Sequence, residues 1–230
     1  LSLVGFWALA LFYSQAGIHH LIGGPVPTWL VTLSIVQSAM MVIPVVAVAI
    51  NHHATMFGRN AGVSNLKALR WSPTLRFVVT GAVMYTAVSF VGSMQSFRAF
   101  NRLIHFTHFT VAHAHHGVYA FYSMILFGAV YFFVPRLMQR EWPYPKLIRA
   151  HFWFATIGML VYIIGLSIGG LLQGLAMADA SQPFMESVRV TIPYLHTRTV
   201  GGTLMTLSHI VFAWHLGAMV LRKGPERQGA

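Results

Sequence analysis

Apolar residues run along this chain in six long blocks, separated by short stretches rich in proline, glycine and basic residues. The blocks cover about 1–22, 28–51, 74–98, 108–134, 148–178 and 197–221. Each approaches the twenty or so apolar residues that a helix needs to cross ~30 Å of hydrocarbon. Pro25, Pro27, Pro73, Pro135, Pro143, Pro145 and Pro193 fall between the blocks, where a helix is expected to break. The pattern predicts an all-α polytopic membrane protein of about six transmembrane helices, forming a single transmembrane domain over residues 1–230 with no internal repeat or linker. No cleavable signal sequence is visible. The chain begins at Leu1, already inside an apolar run and without a Met, as the downstream half of a longer polytopic protein would.

Composition supports a membrane rather than a soluble chain. Charged residues make up 8% of the sequence and apolar ones 56%, whereas about a quarter of a soluble domain is charged. A soluble enzyme is therefore excluded. Cysteine is absent, which removes disulfides, zinc knuckles and thiol nucleophiles. The net charge of +11 does not mark a nucleic-acid binder, because no Lys/Arg cluster is dense enough to track phosphates. The basic residues sort by side instead. Arg59, Lys67, Arg70, Arg76, Arg136, Arg140, Lys146, Arg149, Arg222, Lys223 and Arg227 fall on one side of the predicted spans, and Arg98, Arg102, Arg189 and Arg198 on the other. The positive-inside rule then puts the C-terminus in the cytoplasm.

The 13 histidines are the chemical anomaly. Imidazole is costly in lipid unless it faces the bundle interior and finds a partner, so an intramembrane histidine invites a functional reading. His19 and His20 end the first block. His113, His115 and His116 open the fourth block, which enters from the same face. Topology thus brings two distant clusters to one depth. Copper and haem iron are the metals that take imidazole in such a setting. On a helix, His113 and His115 lie ~200° apart, which suits two haems flanking one helix better than a single shared metal. Distortion at the end of the first helix could let adjacent His19 and His20 reach one ion. Tyr13 lies about 240° around the helix from His19 and ~9 Å deeper, where a phenol could supply a proton or an electron. His209 and His215 are expected to be bonded interior residues, and His52, His53 and His151 to be wetted at cytoplasmic helix ends. Gly165, Gly169, Gly170 and Gly174 recur at helical spacing and predict close helix approach.

Three motifs together resemble the catalytic subunit of C-family, cbb3-type haem-copper oxidases. They are Tyr13-Ser-Gln-Ala-Gly-Ile-His19-His20 with the Gly-Pro-Val-Pro-Thr-Trp that follows at 24–29, His105-Phe-Thr-x5-His113-x-His115-x-Gly117, and Ile192-Pro-Tyr-x3-Arg198-x2-Gly201-Gly202. The resemblance covers nearly the whole chain and matches helices seven to twelve, half of a twelve-helix bundle. It implies that His19 and His20 are two of three copper ligands, and that Tyr13 is the tyrosine joined covalently to the third copper histidine. By the same resemblance His113 is the axial ligand of a high-spin haem and His115 of a low-spin b-type haem. His105 and Arg198 would contact haem propionates, and Ser2 would lie on a proton path from the cytoplasm to Tyr13. The third copper ligand and the second low-spin haem ligand belong to the upstream half of the subunit. Three positions depart from the family pattern: Val91 stands where a glutamate usually supports the high-spin haem ligand, Gly5 replaces a histidine, and His108 an aspartate. The loop at 51–72 is longer than usual.

The resemblance implies a terminal oxidase of the bacterial inner membrane that reduces dioxygen to water. Its electrons would come from cytochrome c through membrane-anchored c-type cytochrome subunits, and its protons from the cytoplasm. Nitric oxide reduction by a related reductase is the alternative, as is a half-chain or assembly polypeptide inactive by itself. Tyr13 and the apolar Val91 argue for oxygen chemistry.

Overall fold

A computed structural model describes residues 1–60, 63–221 and 224–226. Arg222, Lys223 and Arg227, counted above on the tail side, lie outside the described residues. The regular structure of the described residues is helical, with one antiparallel ladder of two residues a side, in which β1 (Arg59–Asn60) pairs with β2 (Val63–Ser64), and an isolated antiparallel bridge between Arg140 and Glu226. The helices are α1 (Ser2–Tyr13), α2 (Thr28–Met40), α3 (Val42–Phe57), α4 (Asn65–Trp71), α5 (Pro73–Ser96), α6 (Arg98–Ile104), α7 (His108–His115), α8 (Met124–Met138), α9 (Pro145–Ala178), α10 (Phe184–Arg189) and α11 (Ile192–Val220). A 3-10 helix spans Ala16–Leu21, and a π-helical segment, His116–Ser123, joins α7 to α8.

Five stretches among the described residues are long and apolar enough to cross a membrane: Thr28–Phe57, Pro73–Ser96, His108–Met138, Pro145–Ala178 and Phe184–Val220. This is a multi-pass membrane protein. The first predicted span, 1–22, is built differently. Its α-helix is only 12 residues long, and the chain then tightens into the six-residue 3-10 turn. At ~1.5 Å per residue in the α-helix and ~2.0 Å in the 3-10 helix, the two together still reach about 30 Å. Ser2 receives a hydrogen bond from Asn51 Nδ2 at 2.7 Å, while His19 bonds to Ser34 and Ser38, so the segment runs antiparallel to α2 and α3 between Ser34 and Asn51. Gly5 permits this approach: a β-carbon there would lie 3.2 Å from Ala47 Cβ.

Proline acts at helix starts more than between helices. Pro73, Pro145 and Pro193 occupy the first turns of α5, α9 and α11, where the missing N–H costs nothing. Pro44 resets the helix at Met41, separating α2 from α3. Pro135, expected in a loop, lies inside α8. It deprives the Tyr131 carbonyl of its helical donor, and the Trp142 indole N–H supplies one at 3.0 Å.

Neighbouring helices pack through glycine. At the α5–α8 contact, a β-carbon on Gly81 would lie 2.7 Å from Ile125 and one on Gly128 2.7 Å from Val78. Along α9 the glycines divide between two neighbours. Gly158, Gly165 and Gly169 lie against Gly201, Thr197 and Tyr194 of α11, while Gly170 and Gly174 lie against the backbone of Phe109 and Leu103. Gly170→Ala is therefore expected to destabilise the assembled protein towards the upper end of the ~1–3 kcal/mol typical of overpacking, since the obstructing atom is backbone. Gly217→Ala, with open space around it, is expected to be neutral or slightly stabilising. Thermal melting of the two purified variants checks the contrast, and equal melting temperatures would refute it.

The core lies between α5, α8, α9 and α11 and includes Phe77, Met124, Tyr131, Trp142, Phe152, Met159 and Met219. His151 belongs to it. Expected to be wetted at a helix end, it is fully buried, accepts or donates a 3.0 Å bond with the Tyr131 hydroxyl, and is ringed by Phe77, Phe127 and Phe212. His52 is half-buried with its Nε2 out of solvent. His215 is fully buried, as expected of an interior residue, and accepts the Tyr144 backbone N–H at 3.3 Å. His209 is exposed on α11 and packs edge-on against Tyr119.

Candidate functional site

The 3-10 turn sets the first part of the site. It brings the His19 and His20 rings to a centroid distance of 4.3 Å. His19 is buried and His20 exposed. The turn is anchored by hydroxyls from α2: the His19 backbone N–H donates to Ser34 Oγ at 2.9 Å, and both Ser34 Oγ and Ser38 Oγ donate to the Ala16 carbonyl, at 2.9 and 2.8 Å. Ser38 Oγ also lies 3.0 Å from His19 Nδ1. Ser93 Oγ of α5 donates to the Ser38 carbonyl at 2.9 Å, tying α2 to α5.

His19, His20, Tyr13 and His113 line one cavity of about 620 Å³, whose other walls include Ser38, Tyr85, Ser89, Gly92 and Ser93. His113 enters it from α7 beside Gly92 of α5. A β-carbon on Gly92 would sit 3.2 Å from His113 Cε1 and 3.4 Å from Nε2, so the glycine keeps open the space at the ring's edge. His113 Nδ1 is buried without a hydrogen-bond partner. Among the described residues no three His, Cys, Asp or Glu side chains converge closely enough to hold a metal ion.

His115 turns to the other side of the helix. Its Nδ1–H donates to the Val111 carbonyl at 2.9 Å, which leaves Nε2 as the lone-pair nitrogen, 3.3 Å from the Tyr162 hydroxyl of α9. The two rings lie 4.7 Å apart. Immediately beyond, the chain enters the π-helical segment, a distortion found mostly at functional sites. Arg198 is exposed on α11.

His105 follows α6, and the turn into α7 is made by Phe106 with φ 61°, a left-handed conformation strained for a bulky residue. His105 Nε2 is buried without a partner. Burial first, and then the charge of nearby His20, hold its imidazole below the usual value, so it is neutral at pH 7. His108 joins α7 to α9: its backbone N–H and Nδ1 both meet Gln173 Oε1, at 2.9 and 2.8 Å. At the far end of α1, Asn51 holds Ser2. Serines 34, 38 and 93, together with Tyr85, Gly92, Asn51 and Tyr162, were not singled out from the sequence. Ser34 and Ser38, one helical turn apart in an apolar block, were the available signal.

The family described as "Cytochrome C and Quinol oxidase polypeptide I" matches residues 1–204. The chain is 35% identical over 230 residues to cytochrome c oxidase subunit 1 of Rhodobacter capsulatus, covering 97% of this chain and 42% of that protein. It is 33% identical over 237 residues to the cbb3-type cytochrome c oxidase subunit CcoN1 of Stutzerimonas stutzeri, covering 100% of this chain and 49% of the relative. The chain thus spans less than half the length of these relatives. A cryo-EM structure of a heme-copper terminal oxidase dimer shares the fold, with a TM-score of 0.71 at 16% identity over 98% of this chain and 42% of that one.

Proposed function

The chain belongs to the cytochrome c and quinol oxidase polypeptide I family, and from that premise we propose that it is helices seven to twelve of the catalytic subunit of a cbb3-type terminal oxidase. Such an oxidase reduces dioxygen to water with electrons from cytochrome c. The observation that carries this reading is the cavity shared by Tyr13, His19, His20 and His113, with His115 directed to the opposite side of the same helix.

The residues fit the groups that such an oxidase holds. His19 and His20, adjacent on the tightened turn, would hold copper together with a histidine from the upstream half of the subunit. His113 would ligate the high-spin haem, and the space kept by Gly92 favours this. His115 would ligate the low-spin b-type haem through Nε2, the nitrogen left as lone pair by the Val111 bond. The orphaned Nε2 of His105 suits an anionic propionate, and Arg198 would be a second propionate partner. When bound, a haem iron–copper pair supplies the electrons that cleave the O–O bond. Tyr13 holds a phenolic proton at the cavity wall, within the space dioxygen would enter. Four of the five long stretches contain no Asp or Glu and the fifth has only Glu186, its third residue; the chain's other side-chain carboxylates are Glu141, Asp179 and Glu226. Protons therefore reach Tyr13 by hydroxyls and water, with Ser2 held by Asn51 at the start of α1. The distribution of basic residues orients the C-terminus to the cytoplasm of a bacterial inner membrane. Membrane-anchored c-type cytochrome subunits and cytochrome c complete the electron supply.

Oxygen consumption tests this reading. The complete complex, supplied with reduced cytochrome c, is expected to turn over oxygen at ~10 per second or faster, and the 230-residue chain expressed without the upstream half to show none. A complete complex that reduces nitric oxide but not oxygen would sink the oxidase reading.

A further inference from the structure

The hydroxyls around the 3-10 turn do something that the threonines of the same helices do not. Thr32, Thr55 and Thr86 bond back to the carbonyl four residues earlier in their own helix. Ser34 and Ser38 instead reach across to Ala16, 18 and 22 residues away in sequence. Each hydroxyl has one hydrogen and two lone pairs. Ser34 accepts the His19 backbone N–H at 2.9 Å, and its own hydrogen goes to the Ala16 carbonyl. Ser38 makes the shorter of the two bonds to that carbonyl, 2.8 Å, and so spends its hydrogen there too. What remains on Ser38 Oγ is a lone pair, 3.0 Å from His19 Nδ1. Ser34, Ser38 and His19 are 0%, 4% and 6% exposed, which leaves water little room to compete.

We infer that Ser38 is a positioning residue for His19: its hydroxyl accepts the Nδ1 hydrogen, fixing the Nδ1–H tautomer and turning the Nε2 lone pair towards the cavity as a copper ligand. The inference rests on the oxidase reading, which supplies the copper. Partners of this kind on the far nitrogen of a ligating histidine set its tautomer, orientation and basicity. The Ser93 bond to the Ser38 carbonyl holds the acceptor itself in place. His20, on the next residue, is exposed on the cavity side; the buried member of the pair is the one held through its far nitrogen.

The test is copper retention by the complete complex under competition with a chelator of known affinity, with haem content and the low-spin haem spectrum read alongside. Ser38→Ala is expected to weaken copper binding about 10- to 100-fold with both haems kept, and Ser38→Thr, which keeps the hydroxyl, to restore it. A Ser38→Ala complex that holds copper as tightly as the unmodified one overturns the inference alone. An unmodified complex that binds haem but no copper overturns the oxidase reading and the inference with it. If the alanine variant does not assemble, a cryo-EM structure of the unmodified complex decides. Copper on His19 Nε2 with Ser38 Oγ within hydrogen-bond reach of Nδ1 supports the inference, and copper on Nδ1 overturns it.

Discussion

In the complete complex, His20→Ala is expected to lower oxygen turnover more than 100-fold while leaving the low-spin haem spectrum unchanged. The magnitude follows from position. Even partners that only support a metal ligand cost 10- to 100-fold when removed, and His20 is itself proposed as a ligand. The residue is also a clean probe. It is exposed at the cavity, whereas His19 is buried and its backbone N–H is bonded to Ser34. Truncating His20 removes an imidazole without withdrawing an anchor of the 3-10 turn. His115, proposed for the low-spin haem, lies on the Tyr162 side of α7, away from this cavity. Loss of both haem signals would show that His20 holds the fold rather than the metal. Turnover that survives with normal spectra would remove His20 from the ligand set.

Tyr13→Phe is the second large effect. The phenol lines the same cavity as both copper histidines and His113, so its proton lies where oxygen chemistry needs one. Removing a positioned proton donor typically costs 10²- to 10⁴-fold, and turnover is expected to fall by about that much. The substitution keeps the ring and deletes one oxygen, so folding, copper and haem content are expected to be unchanged. Steady-state oxygen uptake together with metal analysis checks both halves. A Phe variant with full turnover would remove Tyr13 from the chemistry, and one that has lost copper would make it a structural residue.

Much of this was legible in the chain itself because it depends on local periodicity. Apolar blocks gave five of the long helices nearly to their ends, since the cost of exposing backbone to lipid leaves a spanning segment few alternatives to a helix. The 100° step per residue separated His113 from His115, and they do face α5 and α9 respectively. The α9 glycines predicted close approach, though not that steps of four and one would divide them between α11 on one side and α6 and α7 on the other. What was not legible depends on partners far away in sequence. No local signal marks the tightening of 16–21 into a 3-10 helix; its anchors, Ser34 and Ser38, lie on the next helix. His151 was assigned to water from its place near a helix start, but Tyr131 and three phenylalanines from other helices cover it. Pro44 lies inside a strongly apolar block whose hydropathy gives no sign of a break, although its missing N–H divides α2 from α3. Nor did the sequence show that His113 Nδ1 would be buried without a hydrogen-bond partner, since that depends on which side chains neighbouring helices supply.

Quantifying copper, haem iron and non-haem iron against protein in the complete complex decides whether this site is a haem–copper centre. About one copper per complex, with one of the haems binding carbon monoxide, is expected. Non-haem iron in place of copper would contradict it and make the chain part of a reductase.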